Sequence, residues 1–183
     1  MTIHVLSKFA KTDLPYPSID VTSSGGMGSK FSPFLLGPVM LYDRLWSQNM
    51  ENGWQYSKLY PEQQQAHTYF EWARAGWDNP RAVRYPAGKG AKPLFSVWAG
   101  DALGYIEARK RIYIPLYSQA VRFYSYWPFN ELNQAADEQG LIIRDYDAYD
   151  HRALGYSWDD VMNDPNRKMG HGFVLAMMLE GVL

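Results

Sequence analysis

The chain has 183 residues, a net charge of −1 and no cysteine. That length suits one domain with a full core, and the missing thiols exclude disulfides, thiolate metal sites and cysteine catalysis. The near-neutral balance argues against a general nucleic-acid coat or adhesion to an anionic membrane, while leaving a local basic patch open.

The opening Met-Thr-Ile-His-Val-Leu-Ser-Lys lacks a basic region followed by an apolar run, and no stretch approaches the roughly eighteen apolar residues of a membrane span. A soluble, cytoplasmic protein is the expectation. Seven Trp, fourteen Tyr and eight Phe exceed what a minimal core needs, so some rings are candidates for platforms that hold flat ligands, although core packing explains any single one equally well.

Taken in order, residues 1–30 hold a short apolar start, Pro15, Pro17 and the run Ser23-Ser24-Gly25-Gly26-Met27-Gly28-Ser29, and read as an irregular lead-in to a domain over 31–183. The next segment, Leu35 to Leu41, is interrupted by Gly37 and Pro38 and reads as a strand or extended piece laying Phe31 and Phe34 beside a helix. That helix carries Glu51, Gln55 and Lys58 at i, i+4 and i+7, a carboxylate, an amide and an ammonium on one face, with Trp54 turned towards a core. Ser47 or Asn49 can cap it, and a first-turn carboxylate is favoured by the helix dipole, which is the structural explanation for Glu51.

A further helix is expected from about Glu62 to Ala75, broken by Asn79-Pro80. Residues 81–92 carry Arg81, Arg84, Lys89 and Lys92 around Gly88 and Gly90, a loop able to hold phosphate but without the spacing of a Walker loop. Helices are expected over Trp98 to about Ile112, bent at Pro115, then over Leu116 to Trp127, and over Glu131 to about Glu138 with Asn130 as cap and Gly140 as stop. Leu141 to Asp145 is the clearest strand. It empties into Asp145-x-Asp147-x-x-Asp150-His151, a cluster that suits function at a strand end and, as a minority reading, a metal. Asn163-Asp164-Pro165 should cap a last helix from Asn166 to Leu179.

Five short pieces in this order, Phe31-Ser32-x-Phe34, Glu51-x3-Gln55-x2-Lys58, Lys92-Pro93-Leu94-x3-Trp98, Gly140 with its strand and Asp147-Ala148-Tyr149, and Lys168-x3-Gly172, make the chain from residue 31 onward resemble the NADAR family of N-glycosidases. The resemblance implies a predominantly α-helical α+β single domain with a few short strands. It also implies hydrolysis of the bond between a ribose carbon and a nitrogen, in riboflavin-pathway intermediates or in ADP-ribose attached to guanine of nucleic acid. By motif position it makes Glu51, Trp98 and Asp147 catalytic. The chain departs from the family at Asn52, where a His is usual, at Asp150, where a Trp is usual, and at Met169, where an Asn is common.

Breaking a ribosyl C–N bond builds positive charge on the sugar while a poor leaving group gathers electrons, so the reaction needs an anion, a base for water and a proton source. Glu51 and Asp147 can divide those roles, the more apolar site favouring the acid. Trp98 can stack on the base or flank the sugar. Phe31, Ser32, Phe34, Gln55, Asp150 and Lys168 complete the substrate-binding set, with Lys58, Lys89 and Lys92 as partners for phosphate; the scheme requires no metal and no cofactor. Two rivals remain: a module that holds a nucleotide or ADP-ribose without cleaving it, and a magnesium-dependent phosphoryl-transfer enzyme built on the basic loop and the acidic cluster.

Overall fold

The computed structural model describes residues 2–183 as an α+β fold with seven α-helices and small sheets among the described residues. The chain divides into two compact units, one formed by residues 1–32 with 117–183 and the other by the continuous stretch 33–116. No helix among the described residues is long and apolar enough to cross a membrane.

The first unit begins with β1 (Ile3–Ser7) and β2 (Ser18–Asp20), followed by a 3-10 turn over Gly26–Phe31. The lead-in expected to be irregular is therefore partly strand. Its strands are short, and although β1 carries the buried Ile3, Val5 and Leu6, their partners decide them. Both pair in parallel with a strand more than a hundred residues downstream, which no local pattern announces.

The second unit opens with a hairpin of β3 (Val39–Met40) and β4 (Trp46–Ser47), followed by α1 (Met50–Gln55). Asn49 caps α1 by accepting the Asn52 N–H at 2.9 Å. The expected eight-residue helix stops after six, because Lys58 enters β5 (Lys58–Leu59). The next helix, α2, spans Ala66–Trp77 and buries Tyr69, Ala73, Gly76 and Trp77, spaced four, seven and eight along one face. They pack with Tyr56 and Leu59 into one core cluster, each buried large side chain contributing about 2 kcal/mol.

The helix expected from Trp98 is not there. Trp98 ends β6 (Phe95–Trp98), which turns through Ala99 and Gly100 into β7 (Asp101–Leu103). Both turn residues are left-handed, with φ of 50° and 88°, the geometry that a two-residue hairpin with the natural strand twist demands. Helix begins only at α3 (Tyr105–Ala108), continues through a π-helical turn over Arg109–Tyr113 and resumes as α4 (Ile114–Tyr124). Pro115 does not end the helix. It lacks the N–H of an i−4 bond, and the ladder is already widened just ahead of it.

Back in the first unit, α5 (Tyr126–Gln139) starts four residues before the expected cap, with Pro128 in the first turn, where no backbone donor is needed. Gly140, at φ 75°, ends it. The strand expected after it is present as β8 (Leu141–Asp145), the centre of the sheet β1-β8-β2. After α6 (Trp158–Asn163), which has a Ser157–Asp160 capping box, the last helix is α7 (His171–Leu179), buried throughout and packed on β1 and β8. It starts five residues later than the sequence suggests. Asp164 caps an Asx turn with the Asn166 N–H at 2.8 Å, and Gly170 becomes the N-cap.

Candidate functional site

In the 33–116 unit, Glu51 sits in the first turn of α1 and is buried, 5% exposed. Its backbone N–H reaches the Pro33 carbonyl at 2.9 Å, which pins the start of the helix. Gln55, one turn on, donates from Nε2 to Glu51 Oε1 at 2.9 Å, and Lys58 donates from Nζ to Gln55 Oε1 at 2.7 Å. An ammonium only donates, so it fixes the carbonyl end of Gln55 towards Lys58 and the N–H end towards Glu51. The amide dipole is thereby aligned between a cation and a carboxylate, and a proton on Glu51 would reside on Oε2. The stripe read on one helical face is a relay, although its third member stands on a strand.

Aromatic rings frame this relay. Lys58 Nζ lies 4.5 Å from the Trp54 ring centre, a cation–π distance, and Trp54 packs on Tyr113 at 5.1 Å. Trp54 and Trp98 are both half-buried against the cluster of Leu103, Ala108 and Ile112. Trp98 also meets Tyr42 edge-on at 4.8 Å. Glu51, Gln55, Lys58 and Trp98 thus belong to one unit, with two indoles on a shared apolar base.

Asn52 explains one departure from the resembled family. It is fully buried, gives its two amide N–H groups to the carbonyls of Asn79 and Arg81 at 2.9 and 3.0 Å, and accepts the Val83 N–H at 2.8 Å. The side chain next to Glu51 is the anchor of the basic loop. Lys89 and Lys92 lie exposed in that loop, and Phe34 is half-buried.

The first unit holds the remaining residues. Phe31 and Ser32 are buried, and the Phe31 carbonyl accepts the Tyr117 hydroxyl at 2.8 Å. Asp147 pairs with the exposed Lys168 at 3.5 Å, and its carbonyl accepts the Gly170 N–H at 2.9 Å. Asp150 faces His4 Nδ1 at 3.5 Å and caps the turn after it through the Ala153 N–H. The three aspartates of the cluster thus take three separate partners, and no group of three His, Asp or Glu side chains suited to a metal occurs among the described residues.

The sequence reading missed the most enclosed acid of this unit. Asp145, 3% exposed, accepts the backbone N–H of Tyr146 at 2.6 Å and of Gly172 at 3.0 Å. His171 lies 3.1 Å away through Nδ1, and its Nε2 meets the Val21 carbonyl at 2.9 Å. A carbonyl only accepts, so Nε2 carries a hydrogen, and the contact of Nδ1 with Asp145 is attractive only with a proton on the line between them. Burial, reinforced by the charge of Asp145, pushes the Tyr117 hydroxyl well above its ordinary range. Burial also pulls His151 down to about 4, helped by the Arg152 charge. The signal available in the sequence was Gly170 and Gly172. A Cβ on Gly170 would lie 2.3 Å from Asp145 Oδ2, so only glycine lets α7 close on the acid.

Residues 4–153 match a protein-family model described as a family of unknown function, DUF6939. The chain belongs to that family. No curated protein and no solved structure matches it. The matched stretch includes Glu51, Gln55, Lys58, Trp98, Asp145, Asp147 and Asp150, while Lys168 and His171 lie beyond it.

Proposed function

We propose that the chain is a NADAR-like N-glycosidase that hydrolyses a ribosyl C–N bond in a nucleotide-like or ADP-ribosyl substrate, in the cytoplasm and without metal or cofactor. The observation that carries this reading is the part-buried Lys58–Gln55–Glu51 relay beside Trp54, with Glu51 at its buried end. Negative charge on Glu51 meets an N–H whose dipole the ammonium has already aligned, so little reorganisation accompanies the appearance of positive charge on the sugar. In the scheme, the oxygen of water bonds to the ribose carbon as the C–N bond breaks. One carboxylate takes a proton from that water and the other supplies one to the departing nitrogen. Glu51 fits the anion and base. Asp147 enters as second carboxylate by its motif position, and Trp98 as the ring that holds the base or flanks the sugar.

One observation favours binding without cleavage: Asn52, where the resembled family has His, is wholly engaged by backbone and has no polar group left for a substrate. A panel of ribosylaminopyrimidine phosphate, ADP-ribosylated DNA and NAD separates the two readings. Release of base or ADP-ribose in excess chelator supports the glycosidase. Binding without release across the panel supports the module, and activity that persists in excess chelator argues against the magnesium-dependent phosphoryl-transfer rival.

A further inference from the structure

The loop between α2 and β6 carries more cations than the proposed reaction uses, which draws only on Lys89 and Lys92 among them. From Asn79 to Gly100 the chain holds Arg81, Arg84, Lys89 and Lys92 and no Asp or Glu, in a protein whose 18 cations and 19 acids nearly balance over the whole chain. Such segregation concentrates positive potential on one strap. Both feet of the strap are fixed. Asn52 ties its start by three hydrogen bonds, with Asn49 Nδ2 adding one to Pro80 O at 3.4 Å. At its end the Leu94 N–H bonds to Leu59 O at 2.8 Å and β6 pairs with β5, the strand of Lys58. Between the feet, Gly88 and Gly90 take φ of 93° and 91°, with open space where a Cβ would point. Lys89 and Lys92 are exposed, and Tyr85 and Phe95 show 44% and 37% of their surface. A strap tethered at each end, cationic along its length and flanked by two accessible rings suits a ligand with repeated phosphates and unpaired flat bases.

We propose that residues 81–95 bind single-stranded nucleic acid, the cations taking successive phosphates and Tyr85 and Phe95 stacking on bases. Four cations exceed what one diphosphate occupies, and a duplex keeps its bases from the rings. This binding goes beyond the proposed reaction and holds whether or not any bond is cleaved.

The test uses the full chain and a labelled oligothymidylate, followed by fluorescence anisotropy over a salt series. Four phosphates neutralised predict a slope of log affinity against log salt of about −3. Lys89→Ala with Lys92→Ala should halve that slope, to about −1.5. Tyr85→Ala should weaken binding roughly tenfold with the slope unchanged. Glu51→Gln should bind as the parent does, which separates this inference from the fate of the glycosidase reading. Thermal melts matching the parent establish that the variants are folded. No binding at about 50 mM salt, an unchanged slope in the double lysine variant, or competition by duplex, polyglutamate or tripolyphosphate as effective as that by the strand overturns the proposal.

Discussion

The two units link their acidic side chains in different ways. In the 33–116 unit Glu51, Gln55 and Lys58 lie four and three residues apart, and the relay forms wherever α1 and β5 form, although Asn52 beside it reaches backbone 27 to 31 residues away. In the other unit the links are long. Asp145 meets His171, and His171 meets a carbonyl 150 residues away, so the network exists only once a parallel sheet and α7 have assembled. A short-range relay is cheap in loop entropy and can hold a reactive group with little support, whereas a long-range one is itself the support. Under the proposed function the comparison becomes a division of labour, with Glu51 proposed as the chemical group and Asp145 as a structural fastener.

Substitutions at these two acids therefore fail differently. Glu51→Gln leaves an acceptor for Gln55, so circular dichroism and melting should stay as in the parent, while base release falls ~100 to 10,000-fold. Asp145→Ala strips the N–H groups of Tyr146 and Gly172 of their partner and should cost about 3 kcal/mol, read as a lower urea midpoint. If Asp145→Ala melts normally but loses turnover, the assignment of roles is reversed.

Next in size is a pH effect confined to the long-range unit. His151, 2% exposed and stacked on Trp158 at 4.2 Å, is held at about 4 against an ordinary 6.5. Its folded-state affinity for protons is lowered, so the unfolded chain binds a proton first. Stability is complete above pH 6.5 and declines as the pH falls from 6.5 to about 4, by up to roughly 3 kcal/mol. Urea titrations across that window should show the decline, and His151→Gln should flatten it.

Glycine substitutions sharpen the contrast at about 2 kcal/mol each. In the short-range unit Gly76→Ala drives a methyl to 2.1 Å from the Tyr56 ring. In the long-range unit Gly170→Ala drives one into Asp145 and the Asp147 carbonyl. Both should lower the melting temperature, but only Gly170→Ala should also change the pairing of Asp147 with Lys168. The smallest effect belongs to Lys58→Met, which removes the charge that aligns Gln55 and should slow turnover about tenfold with the fold intact.

What the sequence disclosed follows the same division. Asn49 as cap, the Glu51–Gln55–Lys58 spacing and the Gly140 stop were legible because each depends on neighbours a few residues away, and β8 because its own run of Leu141, Ile142 and Ile143 marks a buried strand whatever its partners. The strands in residues 1–30, the β6–β7 hairpin at Trp98 and the late start of α7 were not. The first depends on β8 as a partner, the second on a left-handed Ala99, and the third on Asp145 serving as acceptor for the Gly172 N–H. Asp145 itself was passed over for Asp147 because the motif names the half-buried residue after the strand, whereas burial of the strand's last side chain emerges only from the sheet and the helix packed on it.

The most direct test follows the atoms of the proposed reaction. Wild-type protein is incubated with the ribosylated panel in water enriched in heavy oxygen, and the products are weighed by mass spectrometry. The glycosidase account predicts free base in step with a sugar product carrying one solvent oxygen at the former C–N carbon, with Glu51→Gln yielding neither. Intact, unlabelled substrate recovered from a saturated wild-type complex across the whole panel would contradict it.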